Sequence, residues 1–350
     1  LICAQAPLPL REMLALFERS QLKPLPTHTF SASQMQDAFK TMAQARHIGK
    51  VVIDFAGDDL AVDLSTAMPL VLAKDGAYLI TGGLGGFGAE VARYLASHGA
   101  GHLYLLGRSG ADRPEAKALL ADLARKGVKA QAIAADVTKR SDVDAVLAKI
   151  AKDKVKLKGV IHSAMVLDDG FITQLDTERM MRVMAPKIVG AWNLHEATAK
   201  LPLDHFVMFS SMAAVLGSSG QANYVAGNRF LDLLAAQRRK LGLPAVTVNW
   251  GALGGAGAVQ RDKAILKYLK TMGMPPLTLE EALTGLGVAL RKSAPAVGCC
   301  KVDWQALGRA NAAIKQLRRF SEVAAESGGA AGGGKVRTEL LAAKGPERLK

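Results

Sequence analysis

The sequence predicts an α/β fold: a doubly wound, parallel, seven-stranded Rossmann-type sheet, with a small N-terminal α+β piece and a flexible C-terminal tail. Three observations carry this. Between residues 77 and 301, short apolar and β-branched runs alternate with helical patterns, which places a parallel sheet between two helical layers. Tyr78 to Thr81 run into a glycine-rich turn, with Gly83, Gly85 and Gly88 in G-x-G-x-x-G spacing before the helical stretch AEVARYLASH. The 350 residues are 49% hydrophobic and 22% charged, enough apolar material for a large core.

Taken in order, residues 1–56 are too few to bury a core alone. PLPTHTF reads as a strand behind prolines, Ser31 or Ser33 as the cap of the helix MQDAFKTMAQA, and GKVVIDF as a buried strand. Residues 57–76 form a connection. The main domain spans 77–310, with strands expected near 77–81, 102–107, 129–134, 157–162, 204–210, 244–249 and 295–301. Gly251 to Gly257 begin a lid whose helix is RDKAILKYLKTMG. Residues 311–334, ending in SGGAAGGG, read as a linker, and 335–350 open a further helix.

Several function classes drop out on composition. No apolar run reaches the roughly 18 residues of a membrane span. The start LICAQAPLPLREM has neither an initiator Met nor a basic signal region, so an internal piece of a longer cytoplasmic protein is expected. Cys3, Cys299 and Cys300 have no metal-binding spacing and an odd count, which suits a reducing compartment and no metal. The net charge of +14 is scattered, and aromatics, at 5%, do not interleave with the basic residues, which argues against nucleic acid. A phosphate-rich cofactor or an acidic carrier protein is the simpler target of that charge.

The glycine turn, Thr81, Gly82, Gly83, Gly85, Gly86, Phe87 and Gly88, has the chemistry of an anion cradle. Its first glycine takes positive φ, its second admits a diphosphate, and its third lets the helix sit against the strand. The second strand ends in LLGRSG, which brings Arg108 and Ser109 to the crevice. An NAD enzyme usually has a carboxylate there, whereas arginine suits a 2′-phosphate, so NADPH is expected. Asp136, beside Val137, either accepts from the adenine amine or caps the next helix. Ser163 and Ala164 pass the nicotinamide side, and His162 is given no proton-transfer role.

Ser211 ends a strand, Tyr224 follows near a helix start, and Asn228 lies four residues on, sharing a helix face with Tyr224. A phenol titrates near 10, so a catalytic tyrosine needs a nearby cation, and Lys187 is the candidate. Strand six is expected to deliver Asn249 and Trp250 to the crevice.

Residues 77–301 resemble the ketoreductase domain of type I polyketide synthases, a branch of the short-chain dehydrogenase/reductases. The resemblance rests on TGGLGGFG, LLGRSG, AADVT, HSAMVLDDG, APKIVGAWNLH, FSSMAAVLGSSGQANY and VTVNWGAL, in that order. Asn228 stands where the ordinary branch has lysine, and the lysine is upstream at Lys187. The resemblance implies hydride transfer from NADPH to a β-ketoacyl thioester carried on phosphopantetheine. In that reaction Tyr224 is the proton donor, Ser211 holds the carbonyl oxygen, Lys187 lowers the tyrosine pKa, and Asn228 places Lys187 or a water. Leu167, Asp168 and Asp169 match the family's signature of a (3R) product, with Leu216 where the opposite class has tryptophan. Ser219, where epimerising members often have proline, implies no epimerisation.

Residues 1–56 resemble the closing end of a zinc-free, enoyl-reductase-type medium-chain reductase, and LLAAKGPERLK resembles the opening of an acyl-carrier domain. The expected partners are therefore that carrier domain and neighbouring synthase domains, including an enoyl reductase and a structural ketoreductase subdomain. A non-catalytic scaffold fragment and a free short-chain dehydrogenase remain the alternatives.

Overall fold

The computed structural model describes residues 15–19, 23, 25–54, 70–254, 263–291, 294–310 and 320. The chain divides into two units, one of Leu1–Asp63 with Arg319–Lys350 and one of Leu64–Arg318. In the first, β1 (Thr27–Ser31) and β2 (Lys50–Asp54) pair in parallel across the helix α1 (Met35–Ala43). Neither Ser31 nor Ser33 caps that helix, whose N-cap is Gln34; Ser31 caps the 3-10 turn Ala32–Gln34 ahead of it, its backbone N–H donating to Gln34 Oε1 at 3.1 Å. Cys3, residues 57–69 of the expected linker 57–76, and the stretches 255–262, 311–319 and 321–350 lie outside the described residues.

The second unit holds β3 (Gly76–Thr81), β4 (His102–Gly107), β5 (Lys129–Ala134), β6 (Lys156–His162), β7 (His205–Ser211), β8 (Val246–Trp250) and β9 (Ala296–Cys299). They form one sheet in the order β5-β4-β3-β6-β7-β8-β9, with every pairing parallel. All seven expected strands are present within a few residues of their assigned positions. β3 is buried along its whole length, and its alternating side chains feed two separate cores. Tyr78 and Ile80 join the layer under α2 (Gly86–Ser97), α3 (Pro114–Arg125) and α9 (Leu279–Arg291). Ala77 and Leu79 join the layer under α4 (Arg140–Lys152), α5 (Thr177–Thr198) and α7 (Ala222–Lys240). The short α6 (Ala213–Leu216) follows β7, α8 (Lys263–Thr271) follows β8, and α10 (Trp304–Ala310) follows β9.

The strand order reverses between β3 and β6. Ligands of such sheets bind outside the strand carboxyl ends at that point, and there the chain turns through Gly82–Gly88 and Ser163–Gly170.

Candidate active site

The glycine turn adopts a different frame from the one its spacing suggests. Positive φ falls at Gly82 (69°) and Gly86 (52°), and Gly83 is not among the positive-φ glycines. Instead Gly83 packs on Ile80, where a Cβ would come within 3.0 Å. Gly88 is the close-approach residue, since a Cβ there would lie 2.2 Å from Gly82 O. In front of the α2 N-terminus, a Cβ on Gly85 or Gly86 would meet nothing within 4 Å. Ser163 and Ala164 brace the turn from β6: Ser163 Oγ donates to Thr81 O at 2.6 Å and Ala164 N–H to Thr81 Oγ1 at 3.3 Å.

Beside the turn lies a cleft of about 240 Å³, lined by Gly82, Gly85, Arg108, Ser109 and Arg113 among others. Arg113 is a cation that the sequence reading missed, although it lies in the same loop as Arg108. Asp136 does not cap the next helix, whose N-cap is Lys139; its Oδ1 accepts instead from Thr138 N–H at 2.9 Å and Thr138 Oγ1 at 2.8 Å in the turn ahead of α4. Burial pushes its carboxyl up, but the Thr138 hydrogen bonds and the charges of Arg108 and Lys139 outweigh this and hold it low. Val137 is buried, and Asn193 Nδ2 donates to its carbonyl at 3.0 Å.

The proton-handling candidates converge at the ends of β6 and β7. Lys187 is only 2% exposed, on α5, where Gly227 lets α7 approach closely. Its Nζ donates to Phe209 O at 2.9 Å and stands 5.6 Å from the Tyr224 ring centroid. Burial brings the Lys187 ammonium down to about 7, against a smaller upward pull from Asp232. Burial pushes the Tyr224 phenol up and Asp169 adds to the rise, while hydrogen bonding with Ser211 and Asn228 opposes it. Asn228 is fully buried; its Nδ2 donates to Tyr224 O at 2.8 Å, and its Oδ1 has no partner. Ser211 Oγ accepts from Ala213 N–H at 3.1 Å, which leaves its hydroxyl proton available.

His162 is structural. It is 1% exposed, with Nδ1 at 2.7 Å from Thr81 Oγ1 and Nε2 at 3.0 Å from Pro186 O. Pro186 O can only accept, so Nε2 carries the proton and Thr81 donates to Nδ1. Burial, reinforced by Lys187, holds the ring neutral down to about 3.

The loop after β6 closes the other side. Asp168 does not cap the following helix; Asp176 does, accepting from Arg179 N–H at 2.8 Å. Asp168 is ion-paired instead, to Arg179 at 2.7 Å and Arg182 at 2.9 Å. Asp169 Oδ2 accepts from Gln221 Nε2 at 2.9 Å. Leu167 is exposed and Leu216 buried at the end of α6. Trp250 is not delivered to an open crevice. It is 5% exposed and packs edge-on against Phe87 at 5.1 Å and Phe209 at 5.4 Å, under the glycine turn. Phe87 thus supports the turn through its side chain. Asn249 is buried too, linking β8 to Asp232 and Ser210. Of the expected lid, residues 255–262 lie outside the described residues; Leu253 is bridged to Leu277.

A parallel sheet in this order, a glycine turn at its reversal point, and a lysine, serine and tyrosine meeting beside it define the class: a short-chain dehydrogenase/reductase fold built to use a nicotinamide cofactor. Residues 76–255 match the KR domain family, and residues 5–53 match the zinc-binding dehydrogenase family. The chain is 36% identical over 345 residues to a phenolphthiocerol/phthiocerol polyketide synthase of Mycobacterium tuberculosis, covering 97% of this chain and 15% of that protein. It is 40% identical over 285 residues to the spectinabilin polyketide synthase system protein NorB of Streptomyces orinoci, covering 80% and 12%. A solved A1-type ketoreductase is 40% identical with a TM-score of 0.66, covering 72% of this chain and 52% of that one. The chain belongs to the KR domain family, the ketoreductase domains of polyketide synthases. Among the described residues, no helix is long and apolar enough to cross a membrane.

Proposed function

We propose that this chain reduces a carrier-bound β-ketoacyl thioester to the (3R)-β-hydroxyacyl thioester with NADPH, without epimerisation, in polyketide or related lipid synthesis. The observation that carries the proposal is the meeting of Lys187, Ser211, Tyr224 and Asn228 beside a glycine turn whose outer face is open. The turn fits the cofactor: a Cβ at Gly85 or Gly86 would meet no protein atom within 4 Å, and Arg108 and Arg113 line the adjacent cleft. Backbone N–H groups at the start of α2 would hold the diphosphate, and Arg108, Ser109 and Arg113 the 2′-phosphate.

Bound there, NADPH supplies the hydride. Tyr224 donates its phenolic proton to the substrate oxygen as that oxygen gains charge, and Ser211 donates a hydrogen bond to the same oxygen. The positive charge of Lys187 favours the phenolate left behind. Asn228 Oδ1, which has no partner in the protein, is free to place Lys187 or a relay water. Residues 1–56 are proposed as the end of an enoyl-reductase-type domain, 57–76 and 311–334 as linkers around the reductase at 77–310, and 335–350 as the opening of the acyl-carrier domain that presents the substrate.

Purified protein is expected to oxidise NADPH when given a β-ketoacyl thioester of N-acetylcysteamine. Tyr224→Phe should lower the rate by about 100-fold or more. Equal rates in the variant and the parent would remove Tyr224 from the mechanism, and mainly (3S) alcohol on chiral chromatography would overturn the stereochemical part.

A further inference from the structure

We infer that Arg179 is a positioning residue for substrate: it clamps the loop at Asp168–Gly170 against the helix that carries Tyr224. The inference rests on the ketoreductase reading above and extends it to a residue on another element. Arg179 lies in the first turn of α5, between the loop and Tyr224 in sequence. Its guanidinium donates through Nε and Nη2 to Asp168 Oδ1 at 3.0 and 2.7 Å, through Nη2 to Asp169 O at 2.6 Å, and through Nη1 to Gln174 O at 3.0 Å. A planar fork spends its donors on one carboxylate and two carbonyls, which fixes the loop backbone as well as one side chain. Gly170 is part of the fit, since a Cβ there would lie 3.0 Å from both terminal guanidinium nitrogens.

The clamped loop reaches the first turn of the Tyr224 helix and the two residues that lead into it by three ties. Asn223 Nδ2 donates to Asp168 O at 3.0 Å, Gln221 Nε2 donates to Asp169 Oδ2 at 2.9 Å, and Gly170 N–H donates to Gly220 O at 2.8 Å. Asn223 Oδ1 in turn accepts from Tyr224 N–H at 2.8 Å. Asp169 is near enough for its charge to act on the Tyr224 phenol. The loop also exposes Met165, Leu167, Phe171 and Ile172, so its outward surface is apolar, as an acyl chain requires. Arg182 adds a second cation on Asp168 Oδ2, but it is half exposed and reaches no loop carbonyl; Arg179 is the one that holds the backbone.

Loss of the fork should shift the wall facing substrate while leaving the cofactor cradle, which is built on β3 and α2, intact. Arg179→Gln is expected to raise the KM for the thioester by about tenfold and to lower the ratio of major to minor alcohol, with NADPH affinity within about twofold of the parent. Arg179→Lys, which keeps charge without the fork, should recover only part of both. The inference is overturned if Arg179→Gln, folded to the same extent, leaves both KM and the alcohol ratio within about twofold of the parent. Should Arg179→Gln melt below the assay temperature, Asp168→Asn removes the charged acceptor only, and the same two outcomes decide. If the parent itself does not turn over, the ketoreductase reading fails and the clamp is judged by hydrogen–deuterium exchange. Faster exchange at 165–175 in Arg179→Gln supports it, and unchanged exchange overturns it.

Discussion

Replacing Lys187 by Met removes the cation that faces the Tyr224 ring, and the size of the effect follows from the geometry. A unit charge acting over the 5.6 Å between Nζ and the ring centroid is worth roughly 3 kcal/mol at an effective dielectric of about 20, which is about two pKa units. The parent pair gives up its first proton near the Lys187 value of about 7, and both tautomers of the resulting state can take up one proton. Without Lys187 the first proton must come from a phenol that burial already pushes above its ordinary range. The assay runs the reaction backwards, with a β-hydroxyacyl thioester and NADP⁺, where the phenolate is the base. The acid limb of kcat/KM should move up by at least about two pH units in Lys187→Met. Stability should move the other way. Because the folded-state value of Lys187 is depressed from 10.5 to about 7, the parent loses stability as pH falls through that window. The methionine variant has no such loss and should melt at or above the parent at pH 7. An acid limb within half a unit of the parent would refute the role given to Lys187.

Three further outcomes are expected. Gly85→Ala should leave the melting temperature of the protein without cofactor unchanged but weaken NADPH binding by about tenfold or more, whereas Gly88→Ala should also lower that melting temperature, because its Cβ would lie 2.2 Å from Gly82 O. Arg108→Ala with Arg113→Ala should weaken NADPH far more than NADH in paired titrations, reducing the preference by about tenfold or more. His162, held neutral to about 3 from an ordinary 6.5, binds a proton in the unfolded chain but not in the folded one, so stability is present above 6.5 and is lost as pH falls toward 3. Urea midpoints of the parent and of His162→Gln at pH 7 and pH 4.5 check this: the variant starts lower and should lose less.

The sheet was legible because parallel strands buried on both faces read as continuous apolar runs, and YLIT, LYLL and FVMF do so plainly. That property also hid Trp250. Where both faces are buried, alternation does not tell which side chain turns to the crevice, and Trp250 turned into the aromatic layer under Phe87. The glycine turn offered two frames, since TGGLGGFG holds five glycines and spacing alone does not say which take positive φ. Tyr224 and Asn228 were legible as a pair four apart on one helix. Arg179 was not, because its acceptors lie in a loop five to eleven residues upstream, and that loop's shape exists only after folding.

What holds the four catalytic candidates in register is polar, and this explains why so much buried polarity is tolerated around them. Apolar contact draws α7 onto β7 and β8 but has little directional preference. Direction comes from Asn249, whose Nδ2 reaches Asp232 Oδ1 at 3.1 Å on α7 and Ser210 Oγ at 3.0 Å on β7. Ser210 then donates to Asn228 O at 3.2 Å, one helical turn beyond Tyr224. On the other side His162 ties Pro186 to Thr81, so the helix bearing Lys187 is registered against the strand that enters the glycine turn. Each bond is individually modest, and each buried group would be costly if left unpaired. A one-residue slip of α7 or α5 would therefore orphan several of them at once. That penalty, more than the apolar layers, selects the single register in which Lys187, Ser211 and Tyr224 meet.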